Sequence, residues 1–157
     1  YFYFPNKAAV LFALLDEIED LMINRMIERI GQVGLTPRDK LVALINFQSQ
    51  AGLDNAEKIL LFILMLLEFN GAGDSVEERV RAIYRRYYTT IESLIAEGQR
   101  SGAFRDDIDV RSMAGIVMAV NNGTMMEWYC RSDGHKGRDL ARAGREIALA
   151  GVLKPQP

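Results

Sequence analysis

Ile59-Leu60-Leu61-Phe62-Ile63-Leu64-Met65-Leu66-Leu67 is the longest uninterrupted apolar run in this chain of 157 residues. A membrane-spanning helix needs roughly 20 apolar residues in succession, so the run is too short to cross a bilayer. It lacks the alternation of a half-buried strand, which leaves a buried helix as the reading. Asp54 and Glu57 ahead of it have the spacing of a cap followed by an acid, and Asn70-Gly71 behind it gives a stop. A helix apolar all round has no side suited to water, so residues 59–67 are expected at the centre of the fold.

The flanking segments are helical too. Asn6 is placed to cap a helix starting at Lys7, with Leu11, Leu15, Ile18, Met22, Met26 and Ile30 at three- and four-residue spacing. At ~1.5 Å per residue this helix is roughly 37 Å long before Gly31 or Gly34 ends it. Thr36-Pro37-Arg38-Asp39 combines a capping hydroxyl, a proline in the first turn and an acid three residues on, and predicts a second helix to Gly52. Asp74-Ser75-Val76-Glu77 opens another, with Val80, Ile83, Tyr84, Tyr87, Ile91, Leu94 and Ile95 on one stripe. Arg79, Arg81, Arg85 and Arg86 cover its wetter side, and Gly98 and Gly102 close it. Asp109 caps a helix from Val110 to about Tyr129, and a last one runs from about Arg138 to Val152. The expected fold is all-α, a bundle of about six helices without a sheet or an internal repeat.

Composition narrows the function. At 49% hydrophobic and 25% charged residues, wholesale disorder is excluded. Nineteen basic against 21 acidic residues leave −2, so the chain as a whole carries no strong nucleic-acid footprint. The single cysteine, Cys130, and the single histidine, His135, in the polar loop Arg131–Gly137, supply neither a disulfide nor a metal cage. No Glu-x-x-His pair, glycine-rich phosphate loop or Gly-x-Ser-x-Gly elbow is present, so no metal, cofactor or catalytic residue is expected. An enzyme using Tyr, Asp and Glu as acid and base is the weakest reading. The lack of a secretory signal fits a reducing, cytoplasmic setting. Because the chain opens at Tyr1 rather than Met, it is expected to be a piece of something longer, with its first residues the end of an element.

Tyr1-Phe2-Tyr3-Phe4-Pro5-Asn6-Lys7 resembles the end of the helix-turn-helix in TetR/AcrR-family regulators. There a Tyr-aromatic-(His/Tyr)-Phe-x-(Asn/Ser)-Lys run closes the recognition helix and a long connecting helix follows at once. Glu97-Gly98-Gln99-Arg100-Ser101-Gly102-Ala103-Phe104-Arg105-Asp106 is similar to a second, looser signature of the family. The resemblance implies that residues 1–7 are a remnant of an N-terminal DNA-binding domain and 8–157 an effector-binding and dimerisation domain. It also implies phosphate contacts from Tyr1, Tyr3 and Lys7, which position a protein on DNA without reading sequence. Phe4 would pack inside the helix-turn-helix, and the base-reading residues precede Tyr1.

Phe47, Phe62, Met65, Phe69, Tyr84, Tyr87, Tyr88, Met125, Met126 and Trp128 gather on the middle helices. With Asn121 they suit a mostly apolar pocket carrying a few polar groups; plain core packing is the alternative. Asn121-Asn122-Gly123-Thr124 is unusual inside a helix. An amide facing a ligand, close approach of a partner helix at Gly123, or a kink would each account for it. Met113, Val117, Val120, Thr124 and Trp128 form one stripe, and Leu140, Gly144, Ile147, Ala148 and Gly151 allow close packing on the last helix. TetR-like proteins dimerise through these two helices, which makes them the expected homodimer interface; burial within one chain is the alternative. The expected function is a ligand-responsive TetR-like regulator, a repressor released from operator DNA by a small hydrophobic effector, with no membrane role. A helical lipid or small-molecule carrier without a DNA role is the alternative.

Overall fold

The structure, a computed structural model, describes residues 6–131 and 137–154. It begins with a continuous rod made of α1 (Lys7–Glu19), a π-helical turn (Asp20–Asn24) and α2 (Arg25–Ile30). There follow α3 (Pro37–Asp54), α4 (Ala56–Glu68), α5 (Ser75–Arg100), α6 (Val110–Cys130) and α7 (Gly137–Val152). Counting the rod once, this makes six helical units and, among the described residues, no strand beyond an isolated bridge between Phe104 and Leu153. No helix among the described residues is long and apolar enough to cross a membrane.

The caps follow from side-chain chemistry. Asn6 accepts from the Ala9 amide at 2.9 Å. Thr36 and Asp39 form a reciprocal capping box, each side chain accepting from the other's backbone amide at 3.2 Å. Asp74 accepts from the Val76 and Glu77 amides. Asp54 does not cap α4: it is the last residue of α3, and Asn55 joins the two helices without a side-chain cap. The Glu77 carboxylate accepts from the amides of Gly71 at 2.9 Å and Gly73 at 2.7 Å. Those backbone donors, with Arg81, outweigh desolvation and hold its carboxyl below the ordinary range. The turn it closes needs glycine, since φ is +88° at Gly71 and +71° at Gly73.

Two features depart from the sequence reading. The expected stripe on the rod placed Met22 between Ile18 and Met26. In the structure the fully buried rod residues are Leu15, Ile18, Ile23 and Met26. The π-turn inserts one extra residue into the helical spacing, with the Arg25 amide donating to the Asp20 carbonyl. The core position therefore jumps from 18 to 23, and Met22 is turned out of the stripe.

The second is α4. Its run 59–67 is not the centre of the fold: only Ile59, Phe62 and Met65 are buried, while Leu61, Leu64 and Leu67 are 40%, 60% and 72% exposed. The helix lies on the outside and turns one face to α1, α3, α5 and α6. Uniform hydrophobicity hid that one-sidedness.

α5 is the spine. Its buried stripe Val80, Ile83, Tyr87, Ile91, Leu94 and Ile95 packs against the rod, α3 and α6. Arg79 donates to Asp16 and Glu19 at 2.6 Å each, and Arg86 donates to Glu19 at 2.8 Å, tying the rod to α5. Burial pushes the Glu19 carboxyl up, but the hydrogen bonds from Arg86 and Arg79 bring it below its ordinary value. At the far end Phe104, 1% exposed, packs on Gly98, and Arg105 donates to the Val152 carbonyl at 3.0 Å, which ties the end of α7 to the α5–α6 turn.

Candidate functional site

A cavity of about 40 Å³ lies where the π-turn, α3, α4, α5, α6 and α7 converge. Met22 of the π-turn and Ile59 of α4 enter it from one side. α3 contributes Phe47, Gln48, Ser49, Ala51, Gly52 and Leu53, and α5 contributes Tyr87. α6 adds Asn121, Thr124, Met125 and Trp128, and α7 adds Gly137 and Ala141. Among the described residues no charged side chain lines it.

A cavity of some 150 Å³ is needed to hold benzene, whereas one water takes about 10–15 Å³ on this measure. The site as it stands has room for a few waters, so anything larger must move a wall. The walls can yield. Met22 and Met125 have three flexible torsions each. Met125 Sδ stands 3.5 Å from where a Cβ on Gly52 would lie, so that glycine gives it space. Gly137 brings the start of α7 against Trp128: a Cβ there would meet the indole Nε1 at 2.8 Å and Leu53 Cδ2 at 2.7 Å.

Polar groups stand among the apolar ones: Ser49, Asn121 and Thr124 line the wall, and Gln48 and Tyr87 form a buried pair. Gln48, 6% exposed, donates through Nε2 to the Tyr87 hydroxyl. Burial drives the Tyr87 pKa well above its ordinary value, offset only in part by Gln48, so the hydroxyl stays neutral. Gln48 Oε1 is buried and has no hydrogen-bond partner among the described residues.

Of the side chains the sequence singled out for a pocket, Phe47, Tyr87, Asn121, Met125 and Trp128 are brought together here. The others are placed elsewhere. Phe62 and Met65 are core residues of α4, and Phe69 caps its C-terminus. Tyr84 and Tyr88, one helical turn apart, share a different face of α5, with ring centroids 6.2 Å apart. The Tyr88 hydroxyl donates to the Arg111 carbonyl at 2.7 Å. Met126 points outward, 47% exposed. Asn121 and Thr124 face the cavity from an α6 that continues unbroken through Asn121-Asn122-Gly123-Thr124.

Gln48 was missed, although it left a trace: it continues the buried spacing Leu41, Leu44, Ile45 on α3, an amide where an apolar residue belongs. Met22 left none, because its position depends on the π-turn.

Burial places much of the expected dimer stripe inside the single chain. Met113 and Val117 are each 3% exposed and Ala148 8%, all inside the single chain. Thr124 bonds the Val120 carbonyl at 2.6 Å, and its Oγ1 stands 2.9 Å from where a Cβ on Gly144 would lie, so this is the seam between α6 and α7. Val120 and Leu140 are half-buried. Of the stripe only Ile147, 66% exposed, and Gly151 face outward; Ile116, Gly123 and Met126 are exposed on α6. Most of the expected stripe thus lies on the inner faces of α6 and α7. Lys7 is exposed at the start of α1, whereas Tyr1, Tyr3 and Phe4 lie outside the described residues.

A rod that shares a side chain with the wall of a largely apolar cavity, with no charged lining among the described residues, is an architecture suited to a helical small-molecule sensor domain. The chain belongs to the tetracyclin repressor-like C-terminal domain family, whose profile matches residues 34–152. It is a ligand-responsive transcriptional regulator of the TetR type. The MbdR regulator from Azoarcus sp. CIB is 40% identical, with a TM-score of 0.87 over 98% of this chain and 81% of its own. The fatty acid metabolism regulator protein of Bacillus subtilis (strain 168) is 25% identical over 97% of this chain and 76% of its own length. The structure of the B. subtilis regulator FadR in complex with stearoyl-CoA, 23% identical, shares the fold with a TM-score of 0.75 over 96% of this chain and 79% of its own.

Proposed function

We propose that this chain is the effector-binding and dimerisation part of a cytoplasmic repressor, with residues 1–7 the remnant of its DNA-binding domain. A small, largely hydrophobic effector occupying the cavity would release the operator. The observation that carries this reading is the double placement of Met22, which belongs to the π-turn of the rod and to the cavity wall. An effector too large for the cavity must displace its walls, and displacing Met22 acts on the one irregular turn of the rod. The near end of that rod, at Lys7, leads into the heptad that resembles a recognition-helix terminus. Successive major grooves lie ~34–36 Å apart, so a small tilt takes paired recognition helices out of register. The stearoyl-CoA held by the Bacillus FadR supports an effector with an apolar portion. The apolar lining supports the same.

Coupling is reciprocal, so operator DNA must weaken effector binding by the same factor. The test is an operator-binding titration of the intact regulator with aromatic and medium-chain aliphatic compounds shown calorimetrically to bind it. Cavity binders are expected to weaken operator affinity by about 5- to 150-fold, the usual range of allosteric coupling. In Met22→Ala the same compounds should bind while the coupling factor shrinks. Occupancy of the cavity without any change in operator affinity would leave a carrier as the better description.

Lys7 is the one proposed phosphate contact among the described residues. Lys7→Ala in the intact regulator is expected to reduce the slope of log affinity against log salt by about one, weakening all operator sequences alike. An unchanged slope takes Lys7 off the phosphate backbone.

A further inference from the structure

We infer that the Gln48–Tyr87 pair selects for an uncharged, hydroxyl-bearing apolar molecule, with the ligand hydroxyl docking between the two side chains. The inference rests on the cavity being the effector site and adds what chemistry the site accepts. A buried acceptor left unpaired costs about 1–3 kcal/mol, so an amide is retained on an otherwise apolar helix stripe only at a penalty. Gln48 Oε1 is such an acceptor, on a side chain more than nine-tenths buried in the cavity wall. It calls for a donor from whatever enters.

Tyr87 supplies the complement. Its oxygen receives the Gln48 amide, which leaves its O–H free to donate. The pair thus holds one unspent acceptor and one unspent donor in the cavity wall, which a ligand that moves the wall can reach. A hydroxyl is the smallest group that meets both, donating to Gln48 and accepting from Tyr87. Turning the amide over exchanges the roles without changing the count: its NH₂ then donates to the ligand oxygen and the ligand hydroxyl donates to Tyr87. A hydrocarbon satisfies neither group, and a ketone or ester can only accept. A carboxylate has no donor to give and would be buried with no cation, since no charged residue lines the cavity among those described. Thr124, the neighbouring hydroxyl, is engaged with the Val120 carbonyl.

Phenol and benzene are matched probes, equal in shape and differing in the one group at issue. Their affinities are measured by calorimetry on the intact wild-type regulator and on Gln48→Leu, with Tyr87→Phe as a second, nearly isosteric variant. Comparing the phenol-to-benzene ratio between proteins cancels the difference in hydration of the two probes. The ratio is expected to fall about tenfold from wild type to Gln48→Leu and severalfold in Tyr87→Phe, while benzene binds both variants at least as well. Benzoate should bind wild type more weakly than phenol. A ratio that stays constant across all three proteins overturns the selectivity inference and leaves the effector cavity standing. Failure of both probes to bind wild type overturns the cavity reading beneath it.

Discussion

Gly98→Ala is expected to lower the unfolding midpoint by about 10 °C, and to raise it slightly when made in a Phe104→Ala background. A Cβ on Gly98 would stand 2.0 Å from Phe104 Cδ2 and 2.3 Å from Cε2, distances no side chain tolerates. The ring cannot withdraw cheaply. It is 1% exposed, and the Ala103 and Phe104 amides both donate to the Gly98 carbonyl, at 2.9 and 3.0 Å. Phe104 is also bridged to Leu153. Expelling the ring forfeits what Phe→Ala forfeits, about 3–5 kcal/mol, and each kcal/mol is worth roughly 2–4 °C in a protein of this size. With the ring removed the clash vanishes. Alanine is then the better helix former by up to about 1 kcal/mol, and the sign reverses. Thermal unfolding of wild type, both single variants and the double variant measures the coupling. Additive effects would mean that the ring and the glycine do not touch.

This contact gives a physical meaning to the Gly98…Phe104 signature seen in the sequence. The glycine is there to let an aromatic ring pack directly on a helix end, and the ring closes the α5–α6 turn against the end of α7. Local signals of that kind were legible: the Asn6, Thr36, Asp74 and Asp109 caps all hold the expected backbone amides. What a local pattern cannot report is which face of an element meets which neighbour. The run 59–67 is apolar on every side, so periodicity has nothing to read, and α4 proved to be peripheral. On α5 the three tyrosines looked like one cluster, yet a helix puts Tyr84 and Tyr88 together and sends Tyr87 elsewhere. The π-turn was invisible because its residues, Asp20–Asn24, would sit as well in an α-helix. Its consequence, the turning of Met22 from core stripe to cavity wall, is the feature on which the proposed coupling depends. The cavity was legible in its three aromatic residues, Phe47, Tyr87 and Trp128, and in Asn121 and Met125. Gln48 shows how the rest can be found, by asking why an amide occupies a buried helical position.

The double variant Ile116→Asp/Ile147→Asp is expected to turn the regulator into a folded monomer and to lower operator affinity by at least about a hundredfold, the lower end of what linking two binding modules contributes. Both side chains are 66% exposed, on α6 and on α7, while the inner faces of the same helices are already committed to the chain's own core. Nothing stands within 4 Å of where a Cβ would lie on Gly123 of α6 or Gly151 of α7, which would let the backbone of a second copy come close there. Asp is chosen over Ala because a truncated contact costs only its burial, about 1.5–3 kcal/mol per isoleucine, whereas two unpaired carboxylates cannot be buried in an apolar seam. In a monomer both positions face water, so the substitutions leave the fold intact and the helical circular dichroism unchanged. Met113→Ala separates this face from the inner one: it is expected to cost about 2–5 kcal/mol of stability and leave the assembly state alone. Native mass spectrometry reads the assembly, and fluorescence anisotropy with an operator duplex reads the affinity. A palindromic operator is matched by a two-fold protein, so loss of the dimer and loss of affinity must occur together. A double variant that remains dimeric would move the interface to another surface, and the apolar outer face of α4 would be the next to test.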